Sequence, residues 1–210
     1  MMRYHPIDTN NPLVLASISP RRKAILKQIG IPFESAGSTI DENLHPEMKP
    51  ADSACHLATQ KVESIEHSYT KRWILGADTL VVINNTIFGK PKSIKECHDM
   101  LSCLKGKTHE VITGFCIHDP EKKSVHREAV MTKVTIKELS TTEIDAYINT
   151  GEPFGKAGAY AIQGIGSFMI EQINGSYTNV VGLPVFEVVN AFVSCGGLKC
   201  FPLNFFPSLP

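Results

Sequence analysis

A short apolar run that turns abruptly into a capped helix sets the terms for this chain. Leu13-Val14-Leu15-Ala16 suits a buried strand, and it breaks at Ser17-Ile18-Ser19-Pro20. Ser19 can cap a helix whose first residue is Pro20, and Gly30 stops that helix. The unit aims Ser17, Ser19 and the helix N-terminus at one point.

The same alternation continues downstream. Ala54, Leu57, Ala58, Val62 and Ile65 share one side of a helix predicted over about Pro50 to Ile65, with Lys61 on or beside the stripe. Trp73 to Ala77 and Leu80 to Ile83 are apolar segments flanking Asp78-Thr79, and Asn84-Asn85 marks a hairpin turn before Thr86-Ile87-Phe88. Ser93 with Glu96 makes a capping box for a helix to Leu104, and Ser140 with Glu143 makes another for a helix ending at Gly151. Between them, His109 to His118 and Glu128 to Leu139 read as long strands around Asp119-Pro120-Glu121. After a glycine-rich stretch, Pro184 to Ser194 forms a last helix. Helices alternate with strands, but two hairpins interrupt the pattern. The expectation is an α/β fold on a mixed sheet flanked by helices.

At 210 residues the chain is long enough for one sizeable core without a disulfide or metal staple. Lys plus Arg and Asp plus Glu number 21 each, so the formal charge is zero, which argues against a nucleic-acid or anionic-membrane partner. The six cysteines form no C-x-x-C pair, no apolar run approaches a membrane span, and the start has no signal-peptide core. These features point to a cytoplasmic protein. The tail from Lys199 to Pro210 reads as a loosely docked extension.

Polar residues gather where strands end and helices begin. The N–H groups of a helix N-terminus, with Arg21 and Arg22, suit a phosphate, although an ordinary capped helix with surface arginines fits the same residues. Asp78 lies between apolar segments, an expensive place for a charge unless a metal, a lysine or a donor pairs with it; a turn or bulge is the alternative. Asp41 and Glu42 add loop carboxylates that could simply be solvated, and Lys61 and Lys90 add cations that could simply snorkel. Taken together, these cations suit a polyphosphate, and the carboxylates suit a divalent metal and water activation. The run Gly151-Glu152-Pro153-Phe154-Gly155-Lys156 through Gly166 suggests backbone passing close to a ligand or to other backbone. It contains neither a P-loop nor a G-x-G-x-x-G fingerprint, and the chain has no zinc motif or nucleophile elbow.

In this order the segments resemble the Maf family of nucleoside triphosphate pyrophosphatases. The likeness begins at Leu15-Ala16-Ser17-Ile18-Ser19-Pro20-Arg21-Arg22 and continues through Asp41-Glu42, Leu57 to Lys61, Gly76-Ala77-Asp78-Thr79 and Gly89-Lys90-Pro91. It is completed by Gly106 to Gly114, Gly151 to Gly164 and Asn179 to Pro184. It covers residues 13–195 as a single domain, leaving 1–12 and 196–210 as terminal extensions.

The resemblance implies an inosine-triphosphatase-like fold with a cleft between two lobes. It also implies hydrolysis between the α and β phosphates with Mg²⁺ or Mn²⁺, and a homodimer by family analogy. Asp78 is then the proton acceptor, with Glu42 and Asp78 as metal contacts. Ser17, Ser19, Arg22, Lys61 and Lys90 hold the triphosphate, and Glu152 and Lys156 support the site. Arg21, Thr79 and Gln163 match the pocket type that prefers dTTP and UTP. The other pocket type in the family takes 7-methyl-GTP and reads differently at these three positions. A nucleotide-binding regulator of cell division is the non-enzymatic alternative.

Overall fold

The computed structural model describes residues 6–38, 40, 47–119 and 125–203. The first strand, β1 (Leu13–Leu15), leads into helix α1 (Pro20–Gln28) and then β2 (Phe33–Ser35). Helix α2 (Pro50–Glu63) precedes a hairpin of β3 (Ile74–Ile83) and β4 (Thr86–Phe88). Next come α3 (Ile94–Leu104), the long strands β5 (Thr108–His118) and β6 (Val125–Ile136), and α4 (Thr141–Asn149). The chain closes with β7 (Ile170–Asn174), α5 (Tyr177–Val181) and α6 (Val185–Cys195). The strands form one mixed sheet of seven in the order β2-β1-β3-β5-β6-β7, with β4 also on β3. β1 is parallel to β2 and β3, and the remaining pairs are antiparallel. The expected mixed α/β architecture is present.

Local chemistry explains most of the boundaries. Asn84 and Asn85 both take positive φ, 48° and 62°, as a tight β3–β4 turn with left-handed central residues requires. Gly30 ends α1 at φ 71°. The Ser140–Glu143 capping box forms with both halves, and Lys137 and Ser140 together hold the Glu143 carboxyl down to about 2. The Ser93–Glu96 box forms only in half. Ser93 Oγ accepts from Glu96 N–H, but the Glu96 carboxylate accepts from the N–H of Lys92 instead. Ser19 stands at the N-cap of α1, yet its side chain does not bond the first turn. Its own N–H donates to Ser17 Oγ at 3.2 Å. Asp78 and Thr79 do not interrupt the strand; β3 is continuous through both.

α2 lies directly on the sheet because both surfaces are small where they meet. A Cβ on Gly76 would stand 2.3 Å from the carbonyl oxygen of Ala58, and one on Gly114 would stand 2.3 Å from the carbonyl carbon of Ala54. The largest core cluster covers the opposite face, where Trp73 meets Phe192 edge-on at 6.0 Å, with α1 and α6 packed over the sheet. Ile7 and Leu198, from the segments outside 13–195, are buried in that cluster, and Ile7 N–H donates to Gly197 O at 2.8 Å. Among the described residues no helix is long and apolar enough to cross a membrane.

Candidate active site

A gap along one edge of β3 creates the cleft. On that edge β1 pairs only with Ile74 and Leu75, and β4 pairs only with Val81 to Ile83. Residues 76–80 therefore have no strand neighbour on that side among the described residues, while the other edge is paired to β5 throughout. Asp78 and Thr79 occupy the gap, and the loop leaving the carboxyl end of β1 hangs beside it, where open parallel strands present ligand sites. The cleft has a volume of about 540 Å³, enough for a nucleotide-sized ligand. Its walls include Ser17, Ser19, Arg21, Arg22, Lys61, Asp78, Thr79, Lys90, Lys156 and Gln163. Residues spread over 147 positions of sequence (17 to 163) thus meet in one place. Glu152 lies outside the lining, and Asp41 and Glu42 lie outside the described residues.

Strand alternation divides the two central residues. Gly76 and Asp78 share the β3 face that α2 covers, and Lys61, one turn after Ala58 on α2, is ion-paired to Asp78 Oδ1. Both side chains are nearly buried, so the carboxylate is held in one orientation at the cleft wall. Thr79 points to the opposite face, into a hydrogen-bonded bracket. Arg22, itself buried, donates from Nε to Gly182 O at 2.8 Å, from Nη1 to Ser17 Oγ at 3.2 Å and from Nη2 to Thr79 Oγ1 at 3.1 Å. At least three of its N–H donors are therefore engaged inside the protein, and it ties three cleft segments together.

The bracket also sets the polarity of Thr79. Thr113 Oγ1 donates its only proton to Asn179 O at 3.1 Å, so the 2.9 Å contact between the two threonine hydroxyls has Thr79 as donor. With Arg22 occupying one lone pair, the Thr79 hydroxyl retains one acceptor position and no donor. Asn179 is buried and fixed by bonds from Nδ2 to Val111 O and to Thr132 Oγ1. The segment Asn179 to Pro184 carried the family resemblance with no role attached, and its buried asparagine and turning carbonyls turn out to form this bracket.

The cations are arranged for an anion. Burial draws the Arg21 guanidinium below the usual arginine range. Lys156 is lowered by burial and then by the charge of Arg21, with Glu152 opposing. Two partly desolvated cations that repel each other across a cleft favour a negatively charged guest. Lys90 stands exposed at the end of β4. Behind the wall, His109 Nε2 meets the hydroxyl of Tyr160 at 2.7 Å, and burial pushes the imidazole down to about 4, so it is neutral near pH 7. Phe154 and Ile18, both exposed, add apolar surface at the mouth. Their roles have no sequence signal beyond adjacency to the motifs.

The carboxylate, the cations and the Thr79 bracket coincide with matches to known proteins. Residues 12–195 match the family described as Maf-like protein. The chain belongs to the Maf-like family. It is 46% identical over 187 residues to the dTTP/UTP pyrophosphatase of Geotalea uraniireducens, covering 89% of this chain and 96% of that protein. The dTTP/UTP pyrophosphatase of Citrifermentans bemidjiense is 47% identical over 189 residues, with 90% and 98% covered. That of Syntrophotalea carbinolica is 44% identical over 198 residues, with 93% and 90% covered. The Maf-like match therefore spans every cleft segment described above.

A divalent cation is the group that the family implies for such a cleft. Among the described residues no cluster of three or more His, Cys, Asp or Glu could hold a metal by itself. Among the described residues Asp78 is the one carboxylate on the lining, alongside Arg21, Arg22, Lys61, Lys90 and Lys156. This donor set fits an ion that arrives on substrate phosphates and takes one or two protein carboxylates, as Mg²⁺ commonly does.

Proposed function

We propose that this protein is a nucleoside triphosphate pyrophosphatase that hydrolyses dTTP and UTP to the monophosphate and pyrophosphate. The observation that carries the reading is the meeting of an oriented carboxylate, Asp78, with Lys61, Lys90, Arg21 and Lys156 in one cleft that also holds Thr79 and Gln163. The relatives at 44–47% identity carry the same activity in their names.

In the proposed mechanism water attacks the α-phosphorus and the bond to the α–β bridging oxygen breaks. That oxygen leaves with pyrophosphate, and the proton of the water passes to Asp78. Lys61 orients the carboxylate, while Arg21, Lys90 and Lys156 offset the charge gathering on the leaving group. Ser17 and Ser19, beside the N-terminus of α1, supply hydroxyl donors for the phosphates, their own backbone N–H groups being engaged with Leu15 O and Ser17 Oγ. Arg22, expected on the triphosphate, braces Ser17 and Thr79 in position. A divalent cation would be held by Asp78, with Glu42 as the second carboxylate expected from the sequence, and when bound it supplies charge neutralisation for the phosphate oxygens. The base would meet Gln163, whose amide both donates and accepts, and the acceptor-only Thr79 hydroxyl; the N3–H and O4 of uracil or thymine suit that pair.

A cytoplasmic location is supported by six free cysteines. The absence of a nucleic-acid partner is supported by zero formal charge. The homodimer of this reading rests on family analogy, and light scattering on the purified protein tests it.

The deciding experiment is pyrophosphate release from dTTP, UTP, CTP, GTP, 7-methyl-GTP and ITP with Mg²⁺ or Mn²⁺, run beside Asp78→Asn. Turnover of dTTP and UTP that falls by at least about 10²-fold in the variant is expected. Turnover confined to 7-methyl-GTP would overturn the pocket assignment. Nucleotide binding without turnover would overturn the enzymatic reading in favour of a regulator.

A further inference from the structure

Gln163 sits on an exposed, irregular stretch bounded by Gly164, a poor platform for a residue that must select a base. The rigidity comes from two side chains outside the cleft lining. On the N-terminal flank, Ala161 N–H donates to the hydroxyl of Tyr147 at 3.2 Å. On the C-terminal flank, Ile165 N–H donates to Glu152 Oε1 at 3.1 Å and Gly166 N–H donates to Glu152 Oε2 at 2.7 Å. The Tyr147 hydroxyl, already accepting from Ala161, also interacts with the Glu152 carboxylate. Tyr147 thus holds the N-terminal flank of Gln163 and Glu152 the C-terminal flank.

Steric fit tightens this clamp. A Cβ on Gly164 would stand 2.2 Å from Glu152 Oε1, so the carboxylate lies immediately under the residue after Gln163, whose φ of 82° also requires glycine. A Cβ on Gly166 would stand 2.5 Å from Ala161 O and 2.7 Å from the Tyr147 hydroxyl, so the turn folds back over that ring. Tyr147 itself is anchored, 2% exposed in the core cluster beneath α4 and edge-on to Phe168 at 6.2 Å.

We propose that Glu152 and Tyr147 are positioning residues for base selection, clamping both flanks of Gln163 so that its amide meets the pyrimidine edge in one orientation. This inference rests on the pyrimidine reading above. Burial pushes the Glu152 carboxyl up, but the N–H of Gly166, the Tyr147 hydroxyl, the N–H of Ile165 and the charge of Lys156 outweigh it and leave it below the usual glutamate range. The clamp therefore stays charged at neutral pH. The backbone carbonyl of Glu152 also accepts from Lys156 Nζ, so one residue fixes a phosphate-side cation and a base-side loop together.

UTP and CTP share sugar and phosphates and differ only at the base edge, so the ratio of their kcat/KM values isolates base selection from general damage. Wild type should prefer UTP, and Gln163→Ala should collapse the preference. Glu152→Ala should lower the ratio about tenfold, mainly through KM for UTP. Glu152→Gln, which keeps one acceptor oxygen, should recover part of it. Added to Gln163→Ala, Glu152→Ala should move the ratio no further.

A Glu152→Ala enzyme that loses rate equally on both substrates overturns the proposal, as does one that lowers the ratio just as much without Gln163. Should Glu152→Ala fail to fold, Tyr147→Phe keeps the buried ring and removes only the hydroxyl. It should shift the ratio in the same direction, and an unchanged ratio overturns the proposal. A wild type with no UTP preference, or a Gln163→Ala enzyme with an unmoved ratio, overturns the pyrimidine reading and this inference with it. A collapse with Gln163→Ala beside an intact ratio in Glu152→Ala overturns this inference alone.

Discussion

Asp78 and Lys61 are worth more as a pair than either is alone. Both lie almost out of solvent, and removing one partner from such a pair leaves an uncompensated buried charge. Lys61→Met should therefore cost about 3–5 kcal/mol in urea unfolding, as well as activity. Arg22 presents a different case, because its geometry rather than its charge is in use. A lysine lacks the planar fork that reaches Gly182, Ser17 and Thr79 together. Arg22→Lys should keep net charge yet lower kcat/KM for UTP by about tenfold or more, measured as pyrophosphate release. At this scale the sequence was highly legible: each singled-out residue that the structure describes, Glu152 excepted, lines the cleft. The hydrogen-bond partners were not legible, because Gly182 lies 160 positions from Arg22 and nothing local marks the approach.

Elements succeed or fail on how closely they can approach. The bed of Gly76 and Gly114 under Ala58 and Ala54 brings α2 onto the sheet and so lets Lys61 reach Asp78. Gly114→Ala places a methyl group against the α2 backbone and should destabilise by about 1–3 kcal/mol, the range for overpacking a filled site. Activity should fall with it if the helix lifts; urea midpoints and pyrophosphate release on the same samples check both. The long periodic elements other than β6 were legible within a residue or two because apolar spacing and caps determine them locally; β6, expected over Glu128 to Leu139, runs over Val125–Ile136, three residues earlier at each end. β2, β7 and α5, three to five residues each, were missed. Such short pieces carry too few residues for a period to show, and they form because a neighbouring strand or loop is already in place.

For the molecule as a whole, His109 couples the cleft wall to the stability of the fold. Its folded imidazole titrates near 4, against about 6.5 when exposed. Between those values the unfolded chain binds the extra proton, so stability falls as pH drops from about 6.5 toward 4, by roughly 3 kcal/mol in total. Below 4 both states are protonated and this contribution stops changing. Urea midpoints between pH 7 and 4.5 should show the slope, and His109→Gln should flatten it.

The ends of the chain belong to the same scale. Ile7 is 2% exposed within the main core, although the family match begins at residue 12. Ile7→Ala should cost about 2–4 kcal/mol by thermal or urea unfolding. By itself the sequence determined the types of the longer elements and the α/β class, because periodicity and caps are properties of neighbouring residues, and its motifs, through the family resemblance, named the residues that meet in the cleft. Only the tertiary structure decided that β3 runs unbroken past Asp78, that the cleft opens where its edge has no strand neighbour among the described residues, and that Arg22 braces. It also placed Glu152 beneath the Gln163 turn. Those outcomes depend on which distant backbone arrives at hydrogen-bonding distance, and no local pattern encodes that arrival.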